Sequence, residues 1–387
     1  MKMTKLLLGA FAGATAGYVA VRTLQAAALL SGNVTLPPSK DAHAYGRTQR
    51  ALALAGTLRS MLASLAFAYG PLARRFEERL APLPAWLRPG AFFTALTAAA
   101  AALDAPVALV EDYALEHKYG LSEQPLRDFF VDYAKSTAIG GAVAGGLGVL
   151  GGITVKRSGR WWPLVASAGM LPLYVLVNLV VPLYVLPLFN KFEPVTGTLE
   201  KRLRELAARF GVGDADILRM DMSRQTNKAN AFVAGIGSTH RIVLGDTLID
   251  RFQNDEIEFV VAHELGHYVT RDTWRMIALA EAVTAVLLLA TASVVRSDPG
   301  GSVRLMRIAA CLSLGMFAVR PAVNAFSRSR EWAADRFALE TTGDAGAGVR
   351  AFTRLREQNL AENDLPFWYE LLFASHPSVG KRIAALR

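Results

Sequence analysis

The sequence predicts a mainly α-helical membrane protein: a seven-helix transmembrane bundle enclosing a polar chamber, joined to a small α+β region. Three observations predict it. The 387 residues are 52% hydrophobic and only 19% charged, where an ordinary soluble domain is about 25% charged. Seven windows approach the roughly 20 apolar residues that a spanning helix needs. Two long segments, one between windows and one after them, are polar instead.

The windows are 5–30, 51–70, 91–110, 137–155, 161–187, 277–294 and 304–326. The first has a basic start (Lys2, Lys5) and an Ala-rich end, as a cleaved signal peptide has, but its apolar run is long for one, so a retained helix is expected. The fourth is rich in glycine, which lets helices approach closely in lipid. Within 188–276, residues 199–210 carry apolar side chains at helical spacing, and Gly211 and Gly213 end the run. Residues 217–222, 231–234 and 241–244 read as short strands, with Gly235, Gly237, Ser238 and Thr239 turning between the last two, so a two- or three-stranded sheet is expected. From Asp255 a helical pattern runs into the sixth window without a break, and the connection to the seventh, 295–303, is short. The division is therefore 1–187 (helices one to five), 188–276 (sheet and motif helix), 277–326 (helices six and seven) and 327–387 (a polar, arginine-rich segment). Two crossings separate the two polar segments, which puts both on one side of the membrane.

The net charge of +9, from 42 Lys+Arg and 33 Asp+Glu, in an apolar chain fits cationic loops against anionic lipid. No basic stretch is interleaved with aromatics, so the bilayer and not a nucleic acid is the expected partner. The single cysteine, Cys311, excludes an internal disulfide framework and a cysteine-built zinc site.

The stretch VVAHELGHYVTRD at 260–272 places His263, Glu264 and His267 in an HExxH arrangement. Residues four apart share a helix face, so both imidazoles can reach one metal ion, with Glu264 about 100° round the helix and able to act as a base on water. A catalytic zinc site takes three protein ligands and keeps one position open. Glu331, in SRSREWAADRFALE at 327–340 on the same side of the membrane, is the expected third ligand. Asp335, four residues on, is then the acceptor for a ligand imidazole N–H. Arg320, Asn324, Arg328, Glu331 and Asp335 form one stripe that begins inside the seventh window, and Arg59, Asp104, Asn178 and Glu281 lie in other windows. Ionisable groups at that depth face a polar cavity or each other, which is the basis for the chamber.

These residues, with EHKYGLSEQPLRDFF at 116–130, PLFNKFEPV at 187–195, NKANAFVAGIGSTHRIVLGDTLI at 227–249 and SHPSVGKRI at 375–383, give a chain that resembles the type I CAAX prenyl endopeptidases, integral-membrane zinc metallopeptidases. The resemblance implies a zincin-like catalytic region, one Zn2+ per chain bound by His263, His267 and Glu331, and Glu264 as general base and acid. It further implies that Asn230, with Ala231 and Phe232 of the following strand, lies beside the substrate backbone. His376 and Arg382 are implied to hold the substrate carbonyl and stabilise the oxyanion. The substrate would be a peptide, or a prenylated peptide that loses its C-terminal tripeptide, with the zinc toward the cytoplasm. Short loops and an Ala- and Arg-rich composition suggest a bacterial member, hence an inner-membrane protein (an ER protein in a eukaryote). The alternatives are a heat-shock-type quality-control zinc protease of the membrane, with fewer spans, and a non-enzymatic seven-span scaffold.

Overall fold

A long apolar run in lipid has no water to bond its backbone, so it must satisfy its own N–H and C=O groups as a helix. The computed structural model describes residues 2–32, 39–235, 239–295 and 301–387, without the side chains of 2–12 and 14. The helices run, in order, α1 (Lys2–Leu30), α2 (Ala42–Tyr69), α3 (Pro71–Arg79), α4 (Arg88–Ala108), α5 (Leu115–Lys118), α6 (Leu126–Arg157) and α7 (Trp162–Val180). After the first strand come α8 (Thr198–Ala208), α9 (Asp246–Ile249), α10 (Asn254–Val269), α11 (Asp272–Val294), α12 (Ser302–Thr342), α13 (Ala345–Gln358), α14 (Phe367–Phe373) and α15 (Val379–Leu386).

Among the described residues six helical stretches are long and apolar enough to cross a membrane: Ala42–Tyr69, Arg88–Lys118, Leu126–Arg157, Gly159–Leu188, Asp272–Val294 and Ser302–Thr342. They coincide with windows two to seven, and the protein is a multi-pass membrane protein. The first window falls on α1, and part of it lies outside the described side chains. The predicted short connection at 295–303 also lies largely outside the described residues.

The glycine-rich window packs as its composition requires. A Cβ on Gly148 of α6 would stand 2.6 Å from the Pro89 carbonyl oxygen and 2.9 Å from Phe93 of α4. The polar residues within the spans find partners. Arg59 pairs with Asp104, the Ser167 hydroxyl donates to Glu281 at 2.5 Å, and Asn178 donates to the Tyr174 carbonyl of its own helix at 2.8 Å. A cavity of about 480 Å³ lies between α2 and α12, lined by Thr57, Ser60, Arg320 and Asn324 among others.

The sheet has four strands, β1 (Phe192–Pro194), β2 (Asp216–Met220), β3 (Ala231–Ala234) and β4 (Arg241–Gly245), in the order β1-β2-β4-β3. This corrects the expected two or three. Three residues, one of them proline, are too short to show alternation. β2 and β4 are parallel and β3 pairs antiparallel to β4, with Ala231 opposite Leu244. The turn after β3 begins at Gly235, φ +97°, and of the predicted turn residues Gly237 and Ser238 lie outside the described residues.

Beneath the sheet, Leu203, Leu206, Ile242, Leu244, Leu248, Phe259, Val261 and Leu265 are buried in one core with Phe352, Ile383 and Leu386. Segments 188–276 and 327–387 thus fold around common apolar side chains. Asp132 of α6, accepting from Arg224 at 2.9 Å and Gln225 at 2.9 Å, ties this body to the membrane helices. The helix expected to run unbroken from Asp255 into the sixth span is two helices. α10 stops at Val269, Arg271 has φ +56°, and α11 starts at Asp272. No glycine or proline marks the break because polar contacts of Asp272, described below, hold it.

Candidate metal centre

The site begins with helix α10. Its start is fixed by a reciprocal cap, the Gln253 side chain to the backbone of Glu256 and the Glu256 side chain to the backbone of Gln253. Ile257, Val261 and Leu265 bury its far face in the core. At Gly266 the helix has no side chain, and α12 closes to where an added Cβ would meet the Ala334 Cα at 3.2 Å. That approach brings Glu331, one turn before Ala334, against the two histidines.

Three side chains meet there. His263 Nε2 and His267 Nε2 are 3.2 Å apart, and each is 3.4 Å from a different oxygen of Glu331. Bonds of about 2.1 Å to a tetrahedral ion would space their donor atoms by about 3.4 Å. The three residues are the one group of three or more His, Cys, Asp or Glu side chains, among the described residues, arranged to hold a metal ion. Glu331 is 5% exposed, and its Oε2 is buried without a hydrogen-bond partner among the described residues. A buried carboxylate oxygen left so is costly, and a cation would satisfy it. Two imidazoles and one carboxylate are the donor set that zinc takes.

The other ring nitrogens are held from behind. His263 Nδ1 lies 2.8 Å from Asp335 Oδ1, the contact predicted for Asp335. Arg382 of α15 grips the same carboxylate with Nε at 2.9 Å and Nη2 at 2.5 Å, and its guanidinium lies over the Phe352 ring. His267 Nδ1 lies 3.0 Å from Asp272 Oδ2, and Arg330 Nε donates to Asp272 Oδ1 at 2.6 Å. Without an ion, burial works against a charged His263. The Asp335 and Glu331 carboxylates beside it outweigh that and raise its pKa to about 9. Burial pushes the Glu264 carboxyl up from its ordinary range.

Glu264 is half-buried on α10, next to His263 in the chain. His376 is largely exposed, with Nε2 3.3 Å from Glu331 Oε1. β3 is the last strand of its sheet. Asn230 precedes it, exposed, with its carbonyl accepting from the Gly245 N–H at 2.9 Å. The expected residues are therefore gathered around α10. Arg382 sits behind His263 rather than in front of the cluster. Sequence reasoning missed Asp272, Arg330 and Asn359. The Asn359 side chain pairs with both the N–H and the C=O of Ala229, at 2.8 and 3.2 Å, and so fixes the approach to β3. An acidic residue just past His267 was the available signal for Asp272. Nothing in the sequence marked Asn359.

Known proteins are similar to this chain. Residues 194–387 match peptidase family M48, and residues 18–191 match the CAAX prenyl protease N-terminal region with five membrane helices. An uncharacterized metalloprotease of Bacillus subtilis is 32% identical over 246 residues, 59% of this chain and 57% of that protein. A CAAX prenyl protease 1 homolog of Arabidopsis thaliana is 29% identical over 301 residues, 73% of this chain and 69% of that one. The CAAX prenyl protease 1 of Saccharomyces cerevisiae is 25% identical over 76% of this chain and 71% of its own length. The crystal structure of S. mikatae Ste24p superposes with a TM-score of 0.80 at 22% identity, covering 99% of this chain and 98% of that one, and so shares the fold. The chain therefore belongs to peptidase family M48, the metalloprotease hydrolases, as a multi-pass membrane member.

Proposed function

We propose that the chain is a zinc endopeptidase that cuts peptide bonds at the membrane, with His263, His267 and Glu331 holding one Zn2+ and Glu264 as general base. The observation that carries this reading is that His263 Nε2 and His267 Nε2 stand 3.2 Å apart, each 3.4 Å from one oxygen of the buried Glu331 carboxylate, whose Oε2 has no hydrogen bond among the described residues. When bound, the ion supplies Lewis acidity, polarising a carbonyl and lowering the pKa of water.

Glu264 takes a proton from the attacking water and returns it to the leaving amine. Its pKa, raised by burial, moves it toward the range in which one group performs both transfers. His376, facing the cluster from the exposed side, donates to the oxygen that becomes negative as the carbonyl carbon turns tetrahedral. Arg382 fixes Asp335 behind His263, and from that place adds positive charge to the site without touching the oxyanion. The substrate lies extended along β3, where Asn230, Ala231 and Phe232 line the sheet edge.

Around this catalytic region the chain forms a seven-span bundle, with α1 as the first span, enclosing a polar chamber of which the cavity between α2 and α12 is part. The division at 187, 276 and 326 separates bundle and catalytic segments. The substrate class is that of the CAAX prenyl proteases, prenylated or unmodified membrane-associated peptides. The zinc faces the cytoplasm, in the inner membrane of a bacterium. Six apolar stretches and a fold shared over 99% of the chain favour this reading over the quality-control protease, and the complete donor set favours it over a scaffold.

Purified Glu264→Gln protein tests the assignment. It is expected to hold about one zinc per chain and to lose peptide hydrolysis by 10²-fold or more. Retained turnover would refute the base. Wild-type protein without zinc would refute the ligand set.

A further inference from the structure

In an unbroken helix, residue 272 would lie five positions after His267, about 140° round the axis and turned away from its ring. The chain departs from that geometry. α10 ends at Val269, and Arg271 takes φ +56°, a left-handed conformation that a residue with a side chain rarely adopts. α11 then starts at Asp272, which folds back so that Oδ2 is 3.0 Å from His267 Nδ1. Asp272 is 5% exposed, and its other oxygen accepts from Arg330 Nε at 2.6 Å. Arg330 belongs to α12 and immediately precedes Glu331. Both oxygens of a buried carboxylate are thereby used, one on the ring and one on the guanidinium. An ion pair that only fastened α11 to α12 would leave the ring alone.

We propose that Asp272 and Arg330 are positioning residues for the metal centre. Asp272 fixes the His267 imidazole with Nδ1–H toward its carboxylate, which leaves Nε2 for the ion. Arg330 holds Asp272 in place and locks the start of α11 to the turn of α12 that carries Glu331. The strained backbone at Arg271 is what brings this carboxylate back onto the ring. The proposal rests on His263, His267 and Glu331 being the ligands.

The test uses the full-length protein in detergent, with zinc affinity measured by competition against a chromophoric chelator. Asp272→Ala is expected to weaken zinc binding 10–100-fold, the range for loss of such a carboxylate. Arg330→Gln is expected to weaken it about 3–30-fold, a step below Asp272→Ala as the indirect partner. Arg330→Lys, which keeps a charged donor, should recover most of the loss. The melting temperature of the metal-free protein is measured in parallel. Variants that melt earlier but bind zinc as wild type does would overturn the positioning role and leave the ligand assignment standing. Should Asp272→Ala fail to fold, equal zinc affinities for Arg330→Gln, Arg330→Lys and wild type would overturn it alone. Wild-type protein that binds no zinc would overturn the ligand assignment and this role together.

Discussion

A guanidinium that gives two nitrogens to one carboxylate has little left for a substrate, and Arg382 is bound to Asp335 in this way. His376 has no such tie, being largely exposed with one nitrogen toward Glu331. The two residues should therefore fail differently. His376→Ala is expected to keep its zinc and lose about 10²–10³-fold in kcat, the usual cost of removing an oxyanion donor. Arg382→Ala should lose zinc affinity as well, because Asp335 is released. Zinc content and kcat measured on the same preparations check both. Protonation gives a second prediction. The metal-free His263 pKa, raised to about 9, lies above its ordinary value of 6.5. The charged ring thus stabilises the metal-free fold fully below about pH 6.5, and that contribution disappears as pH rises through about 9. Zinc needs the neutral ring, so its affinity should climb about tenfold or more per pH unit below 9, as chelator competition across pH 6–8 would show. His263, His267 and Glu264 were legible because their spacing matches a helical face. Glu331 was legible because it opens a polar segment that two apolar windows separate from the HExxH segment. Asp272 was visible only as an acidic residue past His267, because its contact with that ring depends on the left-handed backbone of Arg271, which no residue type announces.

Among the elements, β3 makes the sharpest forecast. The Gly245 N–H to Asn230 C=O bond sets the ladder, and with Phe232 opposite Val243 it follows that Ala231 and Val233 turn their backbone groups to the open edge. Val233→Pro removes one outward N–H and leaves the bonds to β4 intact. It is expected to cut kcat/KM about tenfold on a peptide substrate, with little change in melting temperature. The α4–α6 contact predicts the opposite pattern. Gly148→Leu must displace Pro89 or Phe93 and should cost about 1–3 kcal/mol of stability, seen in thermal unfolding, with the metal centre unaltered. The glycine-rich sequence already pointed to that close packing, since in lipid small residues have few other uses. β1 stayed hidden because three residues show no period.

For the molecule as a whole, α12 is the organising piece. Its 41 residues make a rod about 60 Å long, twice the roughly 30 Å of hydrocarbon it has to cross. One half lines the cavity beside α2, and the other carries Arg330, Glu331 and Asp335. Inserting one alanine between Asn324 and Arg328 would turn Glu331 about 100° away from the histidines. Zinc binding should then be lost while membrane insertion, read by tag accessibility, is unchanged. Hydropathy revealed windows two to seven because each is a local property of composition. How the helices lean together was not legible, since that depends on contacts such as Gly266 with Ala334, far apart in sequence. The same distance has a bearing on biosynthesis. A nascent chain carrying the two histidines has no carboxylate to complete them until residue 331 has been translated, and no brace behind His263 until residue 382 has followed. A growing copy therefore threads most of its length into the bilayer before the proposed ligand set can close.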